Sequence, residues 1–318
     1  MPEYNLQGRN VIVTGAGRGL GRAMTEALTE ASANVVAAAH IDDDFPELTA
    51  ACANHPGNIH CVTADIRMSE DCDRIIAESL DTFGAVHGLV NNAGLTFTYI
   101  WPDGHKRPEW RATGEMPKFY EARDEVIQNV MDANFVGGDK LARRVAPLMI
   151  EQSWGRIINV TTSLDTMYLR GCGAYGPSKA ALEANTRIMA QDLDGTGVTA
   201  NVLIPGGPAN TRMIPEATGF DRDELVQPEV MQPPVNWLCS TDADDISNMR
   251  FIAAMWDESL PRKERIAAAG APTAWAQIGS NTCSGGHLTR LPRGRTWRLA
   301  EPRPTCSCRC FKLAGAFS

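Results

Sequence analysis

The stretch Asn10-Val11-Ile12-Val13-Thr14-Gly15-Ala16-Gly17-Arg18-Gly19-Leu20-Gly21 is followed by helix-forming residues from Arg22 to Glu30. Asn10 to Val13 suits a short buried strand, and that strand enters the glycines almost directly. Glycines let a backbone come close to a pyrophosphate. The helix behind them offers free N–H groups and about half a unit of positive charge at its start. A glycine pattern alone is weak. With a strand before it and a helix after it, it reads as a nucleotide site.

Working outward, the same alternation repeats. Asn34 to Ala39 predicts a second strand, a helix spans about Phe45 to Asn54, and Ile59-His60-Cys61-Val62-Thr63 predicts a third strand leading to Asp65-Ile66. A helix over Ser69 to Phe83 follows, with Ser69 expected as N-cap and Glu70 and Asp71 in the first turn. Gly88-Leu89-Val90 runs into Asn91-Asn92-Ala93-Gly94, a strand whose carboxyl end carries two amides. Residues 126–149 predict a long helix with Asn134 inside it, an unfavourable place for Asn unless it is exposed or needed. Gly155 to Ser163, Asn201 to Ile204 and Arg250 to Ala254 predict the remaining strands. Strands alternating with helices of this length imply an α/β fold with parallel pairing and right-handed crossovers. Ligands then bind at the carboxyl ends of the strands.

Tyr175-Gly176-Pro177-Ser178-Lys179 opens the next helix, expected over 176–194. With Pro177 in its first turn, Tyr175 and Lys179 lie one turn apart on one face. An ammonium beside a phenol favours the phenolate, so the pair reads as a general acid/base with the Tyr175 pKa expected to fall. Spacing alone also fits an ordinary surface pair.

At the end of the second strand an acid would favour NAD and a base NADP, but the chain offers Ala39-His40-Ile41-Asp42. Arg18 can reach the same pocket and tips the reading towards NADP. A merely solvated Arg18 remains the alternative.

The 318 residues are 43% hydrophobic, enough for a substantial core, and show no apolar run long enough to span a bilayer. The N-terminus lacks the parts of a signal peptide, so a cytoplasmic protein with reduced cysteines is expected. The net charge of −8 argues against nucleic acid, and no membrane partner is expected. That charge is uneven. Residues 1–260 carry 20 Lys/Arg against 36 Asp/Glu, whereas 261–318 carry 10 against 2. The break suggests one domain over 1–260 and an extension over 261–318, poorly ordered from about 280. Cys306, Cys308 and Cys310 lack the paired spacing of a zinc site, so no metal is expected.

Taken together, Thr14-Gly15-x-x-x-Gly19-x-Gly21, Asp65, Asn91-Asn92-Ala93-Gly94, Asn134, Tyr175-x-x-x-Lys179 and Pro205-Gly206 with Thr211 resemble the classical short-chain dehydrogenase/reductase family over about residues 6 to 256. The resemblance implies a doubly wound Rossmann-like domain with a mostly parallel sheet. It implies an NAD(P)-dependent oxidoreductase moving a hydride between nicotinamide and a secondary alcohol or ketone. Tyr175 would pass the proton, Lys179 would hold the nicotinamide ribose, Asn134 would hold a water linking Lys179 to solvent, and Thr211 would bind the carboxamide. Gly15, Arg18, Gly19, Leu20, Gly21, His40, Asp65, Ile66, Asn92, Ala93, Gly94, Pro205 and Gly206 would contribute to the cofactor site alongside Tyr175 and Lys179.

The family serine stands 13 residues before the tyrosine, which here is Thr162, with Ser163 at 12. Residue type favours Ser163 and Thr162 stays open. The resemblance also implies a homodimer or homotetramer. Small-residue stripes on the outer side of two helices are expected to pack it, through Val126, Val130 and Ala133 and through Ala181, Ala184 and Ile188. About fifteen extra residues fall around Leu95 to Tyr120, a segment holding six of the chain's 21 aromatics and expected to be either a substrate lid or a surface loop. A nucleotide-sensing regulator on the same fold is the competing class. It needs the glycine loop but not the matched acid/base pair.

Overall fold

The computed structural model describes residues 4–100, 118–214 and 219–275. Eight strands form one sheet in the order β3-β2-β1-β4-β5-β6-β7-β8. They are β1 Asn10–Thr14, β2 Asn34–Ala39, β3 Ile59–Thr63, β4 Gly88–Asn91, β5 Gly155–Val160, β6 Val198–Ile204, β7 Met249–Ile252 and β8 Gly270–Pro272. All pair in parallel except β7 with β8. The strand order reverses between β1 and β4, the crevice where a doubly wound sheet takes its ligand.

Period-two side chains split each central strand between two cores. Val11 and Val13 join Val35, Ala37, Ile158, Val160 and Leu203 on one face. Ile12, Val36, Ala38, Ile157 and Ala200 join the other. The strands therefore read as continuous apolar runs, because helices cover both faces. The first core is closed by α1 (Gly19–Glu30) and α2 (Phe45–Cys52), and the second by α3 (Ser69–Phe83) and a long composite helix.

That composite helix is α4 (Asp124–Met131), a π turn over Asp132–Val136 and α5 (Gly137–Glu151). A short α6 (Leu164–Met167) precedes α7 (Tyr175–Asp192), while α8 (Gln232–Leu238) and α9 (Arg262–Ala269) finish the series.

Several expectations change. Ser69 is the first helical residue, not the cap; Met68 occupies the cap position without a side-chain bond. The Asp71 carboxylate instead accepts the Asp65 backbone N–H at 2.7 Å. Strand β5 stops at Val160, so Thr161 to Ser163 lie beyond the regular pleat. The domain also runs past 260. Helix α9 leads into β8, which pairs with β7, and Arg265 of α9 donates to the Tyr4 hydroxyl at 2.8 Å. Helix α9, just past the charge break, is a polar helix that leads back onto the same sheet. On the last parallel strand the Phe251 ring packs edge-on against Trp237 at 5.3 Å and Trp256 at 5.9 Å. The expected tail from about 280, Cys306, Cys308 and Cys310, and residues 101–117 of the insertion lie outside the described residues.

Candidate active site

The glycine loop is shaped by contacts that leave no room for side chains. A Cβ on Gly21 would stand 2.1 Å from the Gly15 carbonyl oxygen, so only glycine lets α1 start so close to the turn. Gly19 has φ +56, and a Cβ there would meet the Thr211 methyl at 2.9 Å. The loop after β6 thus brings Thr211 against the glycine loop. Arg222 holds that covering loop through the Asn210 side chain (3.2 Å) and the carbonyls of Thr211 (3.3 Å) and Ile214 (2.7 Å).

Asn92 fixes the loop from below. Its amide donates to the carbonyls of Thr14 (2.9 Å) and Gly15 (3.2 Å), and its backbone N–H donates to the Thr14 hydroxyl at 3.0 Å. Asn91 turns the other way and donates to Asn159 at 2.8 Å inside the fold.

The first turn of α1 carries neither an acidic residue nor a side-chain cap at Arg18. Its orphan N–H groups therefore remain available to an anion, and the narrow glycine cradle fits a dinucleotide pyrophosphate. Beside it lies a groove of ≈ 730 Å³ lined by Arg18, Arg22, Arg212 and Arg222 together with Asp44 and Glu47. Asp44 pairs with Arg212 at 2.9 Å and with Arg18 at 3.7 Å.

Other expected cofactor residues are placed less directly. Asp65 spends both carboxylate oxygens on Arg67, which holds its carboxyl below the usual range. Ile66 is buried and His40 is exposed; Leu20, Ala93, Gly94 and Pro205 are half-buried and Gly206 is exposed near the strand ends.

Helix α7 meets the end of β5 with one stripe of side chains. The Tyr175 phenol shares a hydrogen bond with the Thr162 hydroxyl. Four residues on, Lys179 donates to the Val160 carbonyl at 2.9 Å. Four further on, Glu183 accepts from the Thr161 hydroxyl at 3.0 Å, and Thr186 accepts from Asn159 at 2.8 Å. Positions i, i+4, i+8 and i+11 share a helix face, so one stripe grips four successive residues of the strand end.

The two candidate hydroxyls are separated by this geometry. Ser163 caps α6, accepting from the Thr166 N–H at 3.2 Å and sharing a bond with the Thr166 hydroxyl at 2.7 Å. Residue type favours Ser163, whose hydroxyl is engaged in a helix cap, while the Thr162 hydroxyl bonds to Tyr175.

Asn134 sits in the π turn. Its amide accepts from the Leu95 N–H at 2.6 Å and donates to the Leu95 carbonyl and the Ser178 hydroxyl, each at 3.0 Å. The amide is therefore a tie between the loop after β4 and α7. It also lies near Lys179, since a Cβ on Gly94 would stand 2.9 Å from the Asn134 oxygen and 3.4 Å from the Lys179 ammonium.

The electrostatics depart from expectation. Burial pushes Tyr175 up to about 12 and lowers Lys179 to about 8. The ammonium donates to the Val160 carbonyl, and desolvation outweighs the expected attraction. Around the Tyr175 ring, Ile100, Val126, Val130 and Ala174 form a small apolar cluster, with Leu95 and Ala122 packed on it. Val126, Val130 and Ala133 are thus buried within the chain, and the outward stripe expected there does not exist. Among the described residues no His, Cys, Asp or Glu cluster is gathered for a metal.

The sequence over residues 9–219 matches the short chain dehydrogenase family. The chain belongs to that family. It is an NAD(P)-dependent oxidoreductase. This dehydrogenase is 33% identical over 217 residues to a short-chain type dehydrogenase/reductase of Picea abies, covering 65% of this chain and 73% of the relative. It is 28% identical over 268 residues to a fluoren-9-ol dehydrogenase of Terrabacter, covering 79% and 72%. Among solved structures it resembles a putative short-chain alcohol dehydrogenase of Sinorhizobium meliloti in fold, with TM-score 0.68 at 23% identity, covering 79% and 97%. A putative NAD(P)-dependent gluconate 5-dehydrogenase of Beutenbergia cavernae, solved with NADP bound at low occupancy, gives TM-score 0.64 at 28% identity, covering 76% and 94%.

Sequence reasoning missed Glu183 and Arg250 of this dehydrogenase. Glu183 was findable, since it stands one turn beyond Lys179 on the same face. Arg250 comes from a strand nearly 70 residues further along the chain and carried no such signal.

Proposed function

We propose that this dehydrogenase interconverts a secondary alcohol and a ketone, with Tyr175 as the acid/base and Thr162 as the hydroxyl that holds the substrate oxygen. The observation that carries the reading is the Tyr175–Thr162 hydrogen bond at the carboxyl end of β5. A substrate oxygen placed within reach of both hydroxyls is fixed by Thr162, while Tyr175 gives up or receives the proton. The bound nicotinamide supplies the two-electron chemistry. Lys179 would hold the ribose, and its lowered pKa makes it a group able to exchange a proton near neutral pH. Asn134 ties the Leu95 loop to α7 beside Lys179. The apolar wall of Ile100, Ala174 and Leu95 around Tyr175 supports an apolar or ring-containing substrate.

NADP is the preferred cofactor on this reading. The residue at the end of β2 is Ala39 rather than an acid, and Arg18 keeps 42% of its side chain exposed beside the glycine loop. Asp44 competes for that guanidinium, so the preference is weak. Arg18→Ala should narrow it, and equal losses for both cofactors would show that Arg18 does not read the 2′ position.

The direct test is the absorbance of reduced nicotinamide during a screen of cyclic, aryl and 3-oxoacyl ketones and their alcohols. Turnover is expected with at least one class. Tyr175→Phe should remove nearly all of it while leaving cofactor affinity intact, and substantial residual turnover would overturn the acid/base assignment.

A further inference from the structure

A buried ion pair stands directly behind the hydroxyl assigned to the substrate. Arg250 on β7 is 7% exposed and Glu183 on α7 is fully buried; their charged atoms face each other at 2.9 Å. The Arg250 guanidinium also donates to the Thr162 main-chain carbonyl at 3.0 Å, while the other Glu183 oxygen takes the Thr161 hydroxyl at 3.0 Å. Lys179 holds the carbonyl two residues back, Val160.

The geometry points to Arg250 and Glu183 as positioning residues that set the Thr162 hydroxyl against Tyr175. Three observations support this. The regular ladder of β5 ends at Val160, so pleat geometry no longer dictates where Thr162 points. The hydroxyl two atoms from that carbonyl bonds to the proposed acid/base. A buried ion pair is also a poor stabiliser: taking two charges out of water offsets most of their attraction, and an apolar pair of similar volume often serves stability as well or better. A guanidinium does what an apolar side chain cannot. Its planar fork sets Nε against the Glu183 carboxylate as a charge contact and donates through Nη2 to the Thr162 carbonyl, while the other Glu183 oxygen takes the Thr161 hydroxyl, so one pair reaches both Thr161 and Thr162.

The inference rests on the reading of Thr162 given above, and a double-mutant cycle separates the two. The pair would be removed together as Arg250→Leu/Glu183→Leu, which leaves no buried charge unmatched, in the parent and in a Thr162→Val background. Turnover of the most active ketone from the screen would be measured, with NADPH affinity read from its own fluorescence. In the parent background kcat should fall roughly ten- to a hundredfold, as for a reactive group displaced by about 1 Å, with NADPH affinity within about twofold. In the Thr162→Val background the same change should cost almost nothing, because the group it positions is already gone.

Arg250→Lys gives a second arm. It keeps a charge against Glu183 but lacks the fork, so it should keep the parent melting temperature and still lose kcat. In hydrogen exchange its loosening should be confined to residues 160–168.

Equal losses in both backgrounds would make the pair a structural element and overturn the inference alone, as would an unchanged kcat in a folded variant or in Arg250→Lys. If Thr162→Val itself leaves kcat unchanged, the reading of Thr162 fails, and the inference with it.

Discussion

Lys179 is 4% exposed, and burial lowers it to about 8 from the usual 10.5, while Tyr175 is pushed up to about 12 from 10. Below pH 8 Lys179 is protonated both folded and unfolded, and the fold bears the cost of a buried ammonium. Between about 8 and 10.5 the folded protein has released a proton that the unfolded chain still holds, so stability rises with pH across that window. From pH 10 upward Tyr175 works the other way, because the unfolded chain ionises first. The cofactor-free parent should therefore gain on Lys179→Met by about 2–3 kcal/mol between pH 7.5 and 10. Denaturant melts at a series of pH values measure this. Parallel curves for parent and variant would show that the ammonium is not held in a dry site.

Among the elements, the glycine turn and α7 were readable because each encodes its role locally. The turn needs residues without side chains at Gly19 and Gly21, and the helix presents Tyr175, Lys179 and Glu183 at a spacing that fixes them on one face. Gly19→Asp should abolish dinucleotide binding, since its side chain would collide with Thr211 and set a carboxylate in the cradle proposed for the pyrophosphate. Isothermal titration with NADPH and NADH checks it, and unchanged affinity would move the cofactor elsewhere. The π turn was invisible by comparison. Its sequence, Asp132-Ala133-Asn134-Phe135-Val136, reads as ordinary helix. The extra residue that widens the turn is absorbed where Asn134 must reach both Leu95 and Ser178, a demand set by two other parts of the chain.

For the whole molecule, assembly remains a proposal resting on one surviving stripe. Ala181 and Ala184 are half-buried and Ile188 is 54% exposed on α7, while Ile150 at the end of α5 is 42% exposed. The two helices are tied side by side by Asn185 and Asp139 at 2.9 Å. We expect this face to join copies of the chain. Sedimentation at micromolar concentration should show a dimer or larger, and Ile188→Glu should shift it towards monomer by placing a charge in a close-packed contact. A parent that sediments as a monomer would remove the stripe from consideration.

The sequence by itself determined the alternation of strands and helices, the parallel sheet, the glycine cradle and the Tyr175/Lys179 pair. Each of these follows from residue type and spacing over a few turns, where short-range geometry leaves little freedom. Tertiary structure alone set the Thr162 hydroxyl against Tyr175 and gave Ser163 to the cap of α6, because β5 stops at Val160. It also decided that Val126 and Val130 turn inward against Tyr175, and that burial drives the Tyr175 and Lys179 pKa values apart. Finally, it brought Arg250 to Glu183 across 67 positions of chain. Those outcomes depend on which surfaces meet and how much water they exclude, and neither quantity is carried by any one stretch of residues.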